Sequence, residues 1–338
     1  MQSSEKTQWF SKYRPHDLQD IAGQEDTINA ITKMVACGDM PNLLLFGPPG
    51  TGKTTTALAI AERIYGSSST WMVMEKNASC DTGVDVVRHQ IQPFAESRGM
   101  TGRFKLVIMD ECDFLTKASQ FSMKIVMEKF VKNVRFILLC NQIDKIDPAV
   151  KSRCCMFRFG PLPSSFVRER LGYIINCESV SISEEGKNAI IRLAKGDMRS
   201  VINLLQSVHF AYQNHGKISE DDVYNCTGKP SPSTMTQVRN WLMTEGFEKT
   251  VDLIAALQLE RGLALTDLIE ELTSLVKDMG MPRKVTMRLI SSLGKIQRRA
   301  FEASSDHVLS VHRRALIGTF VLAREEIGTA ANVRLVGA

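Results

Sequence analysis

Apolar residues follow two different rhythms along the chain. In the first half they form short continuous runs, at 43–46, 71–75, 105–109, 135–140 and 155–159, separated by stretches with helical spacing. Runs of that length, bounded by turn residues, predict strands buried on both faces. Between them, 25–37 reads as an amphipathic helix stopped by Gly38, and 55–65 places Leu58, Ala61 and Ile64 three residues apart before Gly66. Residues 85–97 read as another helix, but Pro93 falls in what would be its third turn, which predicts a kink or an early end. Strands alternating with helices at about thirty-residue spacing predict an α/β domain around a parallel sheet.

From Pro161 the rhythm changes. Pro161 and Pro163 mark a hinge, and 165–226 reads as helices with stops at Gly186, Gly196 and Gly216. Leu193, Val201, Leu204, Leu205 and Val208 keep the spacing of a helical core face. Residues 228–233 (GKPSPS) read as a linker. Beyond it, Leu265, Leu268, Ile269, Leu272, Leu275, Val276 and Met279 form a stripe wide enough to pack on other helices, inside the domain or across subunits. Arg283, Lys284, Arg288, Lys295, Arg298 and Arg299 make a basic stretch that reads as a solvated helix face rather than a nucleic-acid contact.

The first apolar run opens the most informative stretch. Gly47-Pro48-Pro49-Gly50-Thr51-Gly52-Lys53-Thr54 fits G-x-x-x-x-G-K-[ST], with a strand candidate before it and a helix candidate, starting at Thr55, after it. Such a loop needs glycines because backbone N–H groups must close around phosphate oxygens without Cβ atoms in the way. Lys53 supplies charge to the β- and γ-phosphates, Thr54 a hydroxyl to Mg²⁺, and the helix start its positive dipole end. The chain therefore binds a nucleoside triphosphate. The segment 9–24 (WFSKYRPHDLQDIAGQ) reads as extended and then turning, because Pro15 biases Arg14 away from the helical region. It is either a basic arm or a strap across the nucleotide base, with Ile21 and Ala22 beside the ring.

The third run ends in Asp110-Glu111-Cys112-Asp113. A buried parallel strand carries such an acidic end to the crevice at the carboxyl edge of the sheet. Asp110 would there hold the Mg²⁺ shell, and Glu111 would polarise the attacking water. The fourth run ends in Asn141, whose amide can bond a γ-phosphate oxygen and a water, although an Asn there is commonly just a turn residue.

Composition narrows the setting. The 338 residues suffice for two or three domains, and 43% hydrophobic with 23% charged is an ordinary globular balance. No apolar run approaches the roughly 20 residues of a membrane span, and the polar start, Met1 to Thr7, lacks the apolar core of a signal peptide. Eight cysteines without a C-x-x-C pair argue against a zinc site or disulfide framework and for a reducing compartment. A net charge of +5 permits nucleic-acid binding without arguing strongly for it.

Over nearly its whole length the sequence resembles the replication factor C small subunits, the AAA+ clamp loaders. The likeness rests on KYRP (Lys12, Tyr13, Arg14, Pro15), AGQ from Ala22, GPPGTGKT, NAS from Asn77, GVDVVRHQI from Gly83, LVIMDE, SRC from Ser152 and GDMRSVINLLQS from Gly196. RGLALTDLIE, from Arg261, points to an ATP-hydrolysing member. The resemblance implies an α/β P-loop AAA+ domain at 1–162, a helical lid at 163–228 and an all-α collar at 229–338. It also implies ATP and Mg²⁺ as cofactors, a heteropentamer with other replication factor C subunits, and nuclear work without a membrane. The partners would be a PCNA-type sliding clamp and primer-template DNA. Lys12, Tyr13, Arg14 and Pro15 would lie by the adenine and ribose, and Gly47 through Thr55 would hold the phosphates. Asn141 would be sensor 1, Arg199 sensor 2, and Arg153 an arginine finger acting in trans. Thr82 and Arg88 would meet duplex phosphates. Ile91 and Phe94 sit on the helix that such loaders turn towards their clamp, though both could equally be core of their own domain.

The sequence departs from the family pattern in places. Thr82 stands where the family carries an arginine, Cys112 where it carries an alanine, and Lys124-Ile125 where it carries an arginine pair. DNA contact is therefore less strongly encoded than ATP binding, and the hydrolysis rate could differ from the family's. A non-hydrolysing subunit that mainly donates Arg153, or another AAA+ DNA motor, are the competing readings. Intact Lys53, Asp110 and Glu111 speak against the first, and the helical collar pattern against the second.

Overall fold

The computed structural model describes residues 8–336 apart from 22, 39, 67–68, 81, 98–102, 213–215 and 303–305. The chain divides into two compact units, Met1–Lys217 and Ile218–Ala338.

The first unit is built on a five-stranded sheet in the order β2-β3-β4-β1-β5, with β1 Leu43–Phe46, β2 Val73–Asn77, β3 Lys105–Asp110, β4 Val134–Cys140 and β5 Cys155–Arg158. Every ladder is parallel. Side chains alternate across it. Leu43, Leu45, Leu106, Ile108, Ile137 and Leu139 pack with Ile31 and Ile60 on one face. Leu44, Val107, Met109, Phe136 and Leu138 pack with Ile91, Met123 and Val126 on the other. Full burial of such a side chain is worth about 1.5–3 kcal/mol, so both faces must be covered by helices. Because β1 lies between β4 and β5, its carboxyl end is flanked by strands that arrive late in sequence, which is where such sheets hold ligands.

Four local expectations change. The strand expected at 71–75 starts at Val73, where its ladder with β3 opens opposite Leu106; Ser69–Met72 is a helical turn that leaves Trp71 exposed. The segment from Trp9 is not extended: Trp9–Lys12 forms one helical turn, held by Trp9 against the His209 and Phe210 rings. The helix containing Pro93 neither breaks nor ends at it. A π-helical stretch, Val87–Ile91, precedes the last helical piece, Gln92–Glu96, and Pro93 sits in that piece's first turn, where its missing N–H costs little. Gly186 is not a stop; its N–H donates to the Ser183 cap at the start of the helix Glu184–Ala194.

The unit is completed by the helices Ser164–Cys177, Glu184–Ala194 and Met198–Tyr212. Val201, Leu205 and Val208 are buried as their spacing predicts, with Leu193 and Leu204 half-buried.

The second unit is helical throughout: Glu220–Thr227, Pro232–Thr244, Phe247–Arg261, Leu265–Asp278, Arg283–Glu302 and Asp306–Val336. Its core takes Leu265, Leu268, Ile269, Leu272 and Val276 from the expected stripe, with Leu275 and Met279 packed at its edge. The expected linker at 228–233 connects two helices as far as Ser231, and its end is a built helix start. Ser231 is buried and accepts from the Thr234 N–H, and Pro232 occupies the first helical position. In the basic stretch, Lys284 and Arg288 pair with Glu326 and Arg298 pairs with Glu302, an ion-paired surface face.

Candidate functional site

The loop between β1 and the helix Lys53–Tyr65 can only be made with glycine at two points. Gly47 (φ 145°) donates its N–H to the Cys140 carbonyl at 3.3 Å, and a Cβ on it would lie 2.0 Å from the Phe159 carbonyl oxygen. Gly50 (φ 67°) faces the group of helices Ser164–Cys177, Glu184–Ala194 and Met198–Tyr212, for short the lid helices, and a Cβ there would lie 1.5 Å from Asp197 Oδ1. The Gly50 carbonyl also accepts from the Met198 N–H at 3.2 Å. The lid therefore rests directly on the loop.

Lys53 is buried, and its Nζ donates to the Gly47 and Pro48 carbonyls at 2.8 Å each and to Asn141 Oδ1 at 2.9 Å. Burial pulls its pKa down, opposed chiefly by Asp110. The three hydrogen-bond partners of Lys53 are neutral oxygens, and a buried ammonium so placed fits phosphate oxygens, which bond it more strongly. Thr54 Oγ1 donates to Asp110 Oδ2 at 2.9 Å, while Asp110 Oδ1 accepts from the Glu111 N–H at 2.8 Å. Glu111 takes a left-handed backbone (φ 55°), costly for a residue with a side chain and common where function over-determines geometry. The Thr54 hydroxyl and the Asp110 carboxylate, 2.9 Å apart, are hard oxygens of the kind that would suit a magnesium ion.

The other end of the cavity is apolar. Phe10, Tyr13 and Ile21 come from the N-terminal segment, and Phe166, Arg170 and Ile202 from the lid. The Arg170 guanidinium donates to the Tyr13 carbonyl at 2.9 Å, tying the two sides together. Glu178 accepts from Tyr13 Oη at 2.5 Å and from Lys12 Nζ at 2.7 Å. Burial, then the Glu178 contact, pushes Tyr13 up to about 12.

Of the residues picked out in sequence, the cavity gathers Tyr13, Arg14, Pro15, Ile21, Gly50, Thr51, Gly52, Lys53, Thr54, Thr55 and Arg199 along its wall. Gly47, Pro48 and Asn141 meet it through Lys53, and Pro49 is an exposed loop residue. Ala22 lies outside the described residues. Lys12 does not line the cavity; its ammonium is spent on Glu178. Arg153 lies elsewhere, paired with Glu128. Thr82 and Arg88 are exposed, and the Thr82 carbonyl accepts from Ser119 Oγ at 2.8 Å. Ile91 is corrected from a surface contact to core: it is fully buried with Val86, Val87 and Ala95, so no partner can reach it. Phe94 is half-buried, packs on that same cluster and lies 4.5 Å beneath Lys105 Nζ. Sequence reading missed Phe10 and Asp20 of the N-terminal segment, and Leu162, Phe166, Arg170, Met198 and Ile202, which only the folding of distant segments brings to the cavity.

Residues 43–162 match the AAA family, described as ATPases associated with various cellular activities, and residues 230–309 match the replication factor C C-terminal domain. Similar proteins include replication factor C subunit 3 of Oryza sativa, 43% identical over 96% of this chain and 89% of its own length. Replication factor C subunit 5 of Homo sapiens is 39% identical, covering 94% and 93%, and subunit 3 of Saccharomyces cerevisiae is 37% identical, covering 98% of both. Among solved structures, a Thermotoga maritima RuvB variant superposes with a TM-score of 0.53 at 16% identity, over 72% of this chain and 85% of that one, a likeness of fold alone.

Proposed function

This chain belongs to the replication factor C family, and from that premise we propose how it works as an ATP-hydrolysing subunit of the clamp loader. The reading rests on one observation: two adjacent residues at the end of the phosphate loop make two hydrogen-bonded pairs, Lys53 with Asn141 and Thr54 with Asp110, and the Glu111 N–H donates to the same Asp110 carboxylate. Lys53 binds the β/γ-phosphates and Asn141 orients the γ-phosphate and the water. Glu111 takes the water's proton at its carboxylate. Thr54 and Asp110 hold Mg²⁺, which supplies charge to the phosphate oxygens when bound. Arg199, on the cavity wall, answers to the γ-phosphate of the same chain. The adenine lies between Phe10, Ile21, Phe166 and Ile202. We retain the division into ATPase domain, lid and collar, with the ATPase domain and the lid as far as Lys217 in the first compact unit.

In the nuclear complex with the other replication factor C subunits, ATP binding orders the ring for a PCNA-type clamp and primer-template DNA, and hydrolysis releases both. Arg88, Thr82 and nearby helix starts meet DNA phosphates. Phe94 carries the clamp contact, with Ile91 as its buried support. Arg153 serves the neighbouring subunit's nucleotide. The test separates cis from trans. Arg153→Ala should leave nucleotide affinity of the lone subunit unchanged and slow hydrolysis at the adjacent site of the ring by on the order of 10³. Loss of ATP binding in the lone Arg153→Ala subunit would place the arginine in cis and overturn the ring-coupled mechanism.

A further inference from the structure

Arg153 follows the short helix Pro148–Lys151, and Glu128 lies near the end of the helix Lys117–Lys129, which follows the acidic end of β3. The guanidinium is almost fully engaged within its own chain. Nε donates to Glu128 Oε1 at 2.8 Å, and Nη2 donates to the same oxygen. Nη1 donates to the Ala149 carbonyl at 2.6 Å and to Ser152 Oγ at 3.1 Å. A guanidinium has five N–H groups, so one is left. Arginine grips phosphate through two parallel N–H groups, and the edge carrying Nε and Nη2 is the one Glu128 holds. Both side chains are partly solvent-exposed, 32% for Arg153 and 46% for Glu128, so the pair is shallow enough to be exchanged.

We propose that Glu128 stows Arg153: its carboxylate occupies the phosphate-gripping edge of the guanidinium until a neighbouring subunit offers a triphosphate that displaces it. This rests on the trans role of Arg153 given above. The chemistry favours such a device. An unpaired, solvent-facing arginine would take any phosphate it met, including DNA and free nucleotide. A carboxylate partner sets a threshold that a multiply charged triphosphate passes and a single phosphodiester does not. The bonds to Ala149 and Ser152 can persist through the exchange, keeping the side chain extended while its other edge is freed. Glu128 is thus a positioning residue, acting only through Arg153.

The test uses the reconstituted five-subunit complex. Glu111→Gln silences hydrolysis at this chain's own site while leaving ATP bound, and the corresponding glutamates are replaced in every subunit except the one whose nucleotide Arg153 faces. Glu128→Gln keeps the shape and removes the charge. It should raise the basal hydrolysis rate, without DNA or clamp, about two- to fivefold, the span expected for an exposed ion pair. The DNA- and clamp-stimulated rate should stay the same, so the stimulation ratio falls, and the basal rate should become less dependent on salt. Glu128→Asp should restore part of the wild-type ratio, which a packing role would not. Melting of the lone subunit checks that folding is intact, and Glu128→Ala serves as second variant. An unchanged basal rate in both Glu128→Gln and Glu128→Ala would overturn the proposal. So would a Glu128→Gln effect that persists in an Arg153→Ala background, because Glu128 would then act on something else. If Arg153→Ala alone leaves the adjacent site's rate unchanged, the trans reading fails, and the stowing proposal falls with it.

Discussion

The two ends of the nucleotide cavity are built by opposite strategies. The phosphate end is assembled from one continuous loop and the ends of two neighbouring strands, and it is held by polar pairs: Lys53 with Gly47, Pro48 and Asn141, and Thr54 with Asp110. The base end is assembled from an N-terminal segment and from helices distant in sequence, as Tyr13 and Arg170 are, and its contacts are mainly apolar. Backbone geometry and charge make the first end rigid and exacting. The second depends on how the lid sits, so it can respond to the state of the ring. Affinity should therefore fall steeply with changes at the phosphate end and gently with changes at the base end.

The largest effect should come from Lys53→Ala. Removing a charged hydrogen-bond donor to phosphate costs about 3 kcal/mol, roughly a hundredfold in Kd. Titration of a fluorescent ATP analogue into the lone subunit measures it, and a loss below tenfold would mean that the phosphate end does not dominate. At the base end, Phe166→Ala should weaken binding about tenfold, from loss of about 1.4 kcal/mol of apolar contact. The discriminating comparison is with a triphosphate lacking the base, whose affinity should not change. A Phe166→Ala loss as deep as that of Lys53→Ala would abolish the contrast between the two ends.

The smallest effect concerns the tie between the N-terminal segment and the lid. Burial pushes the Glu178 pKa up, but the hydrogen bonds from Lys12 and Tyr13 outweigh it and leave it below its ordinary 4.5. A carboxylate held low in the folded state contributes stability above pH 4.5, and that contribution disappears as pH falls through the lowered value. Glu178→Gln should therefore flatten the fall in melting temperature below pH 4.5 and change ATP affinity at neutral pH by less than about threefold. An unaltered acid limb would mean that the tie does not matter to stability.

The contrast also explains what could be read in advance. The phosphate end was legible because a tight loop restricts which residues can occupy it: Gly47 leaves 2.0 Å to Phe159 for any Cβ, so the glycine spacing survives as a pattern. Asp110 and Glu111 were legible because they follow an unbroken apolar run. The base end was not, since Phe166 and Ile202 are ordinary members of amphipathic helices, and only folding turns them to one cavity. Lys12 misled for a related reason: a motif shows that a residue matters, not which partner it takes, and here the partner is Glu178. Ile91, equally open to a clamp contact or to core in the sequence, is core: it closes the π-helical stretch Val87–Ile91 with its side chain fully buried. The five parallel strands and the collar stripe followed from the apolar pattern, while the strand order did not. The start of the helix at Pro232 did not, because Pro and Ser serve linkers and helix caps alike.

The central claim is that this subunit hydrolyses ATP at its own site, with Glu111 as base beside Asp110. Single-turnover hydrolysis by the assembled complex, carrying either wild-type chain or Glu111→Gln, tests it most directly, with bound ATP counted on the same samples. The account predicts unchanged ATP occupancy and the loss of one ATP hydrolysed per loading event, with the chemical step at this site slowed by about 10²–10⁴. An undiminished count of ATP hydrolysed, at full occupancy, would contradict it and make this chain a nucleotide-binding subunit whose chemistry is done by its neighbours.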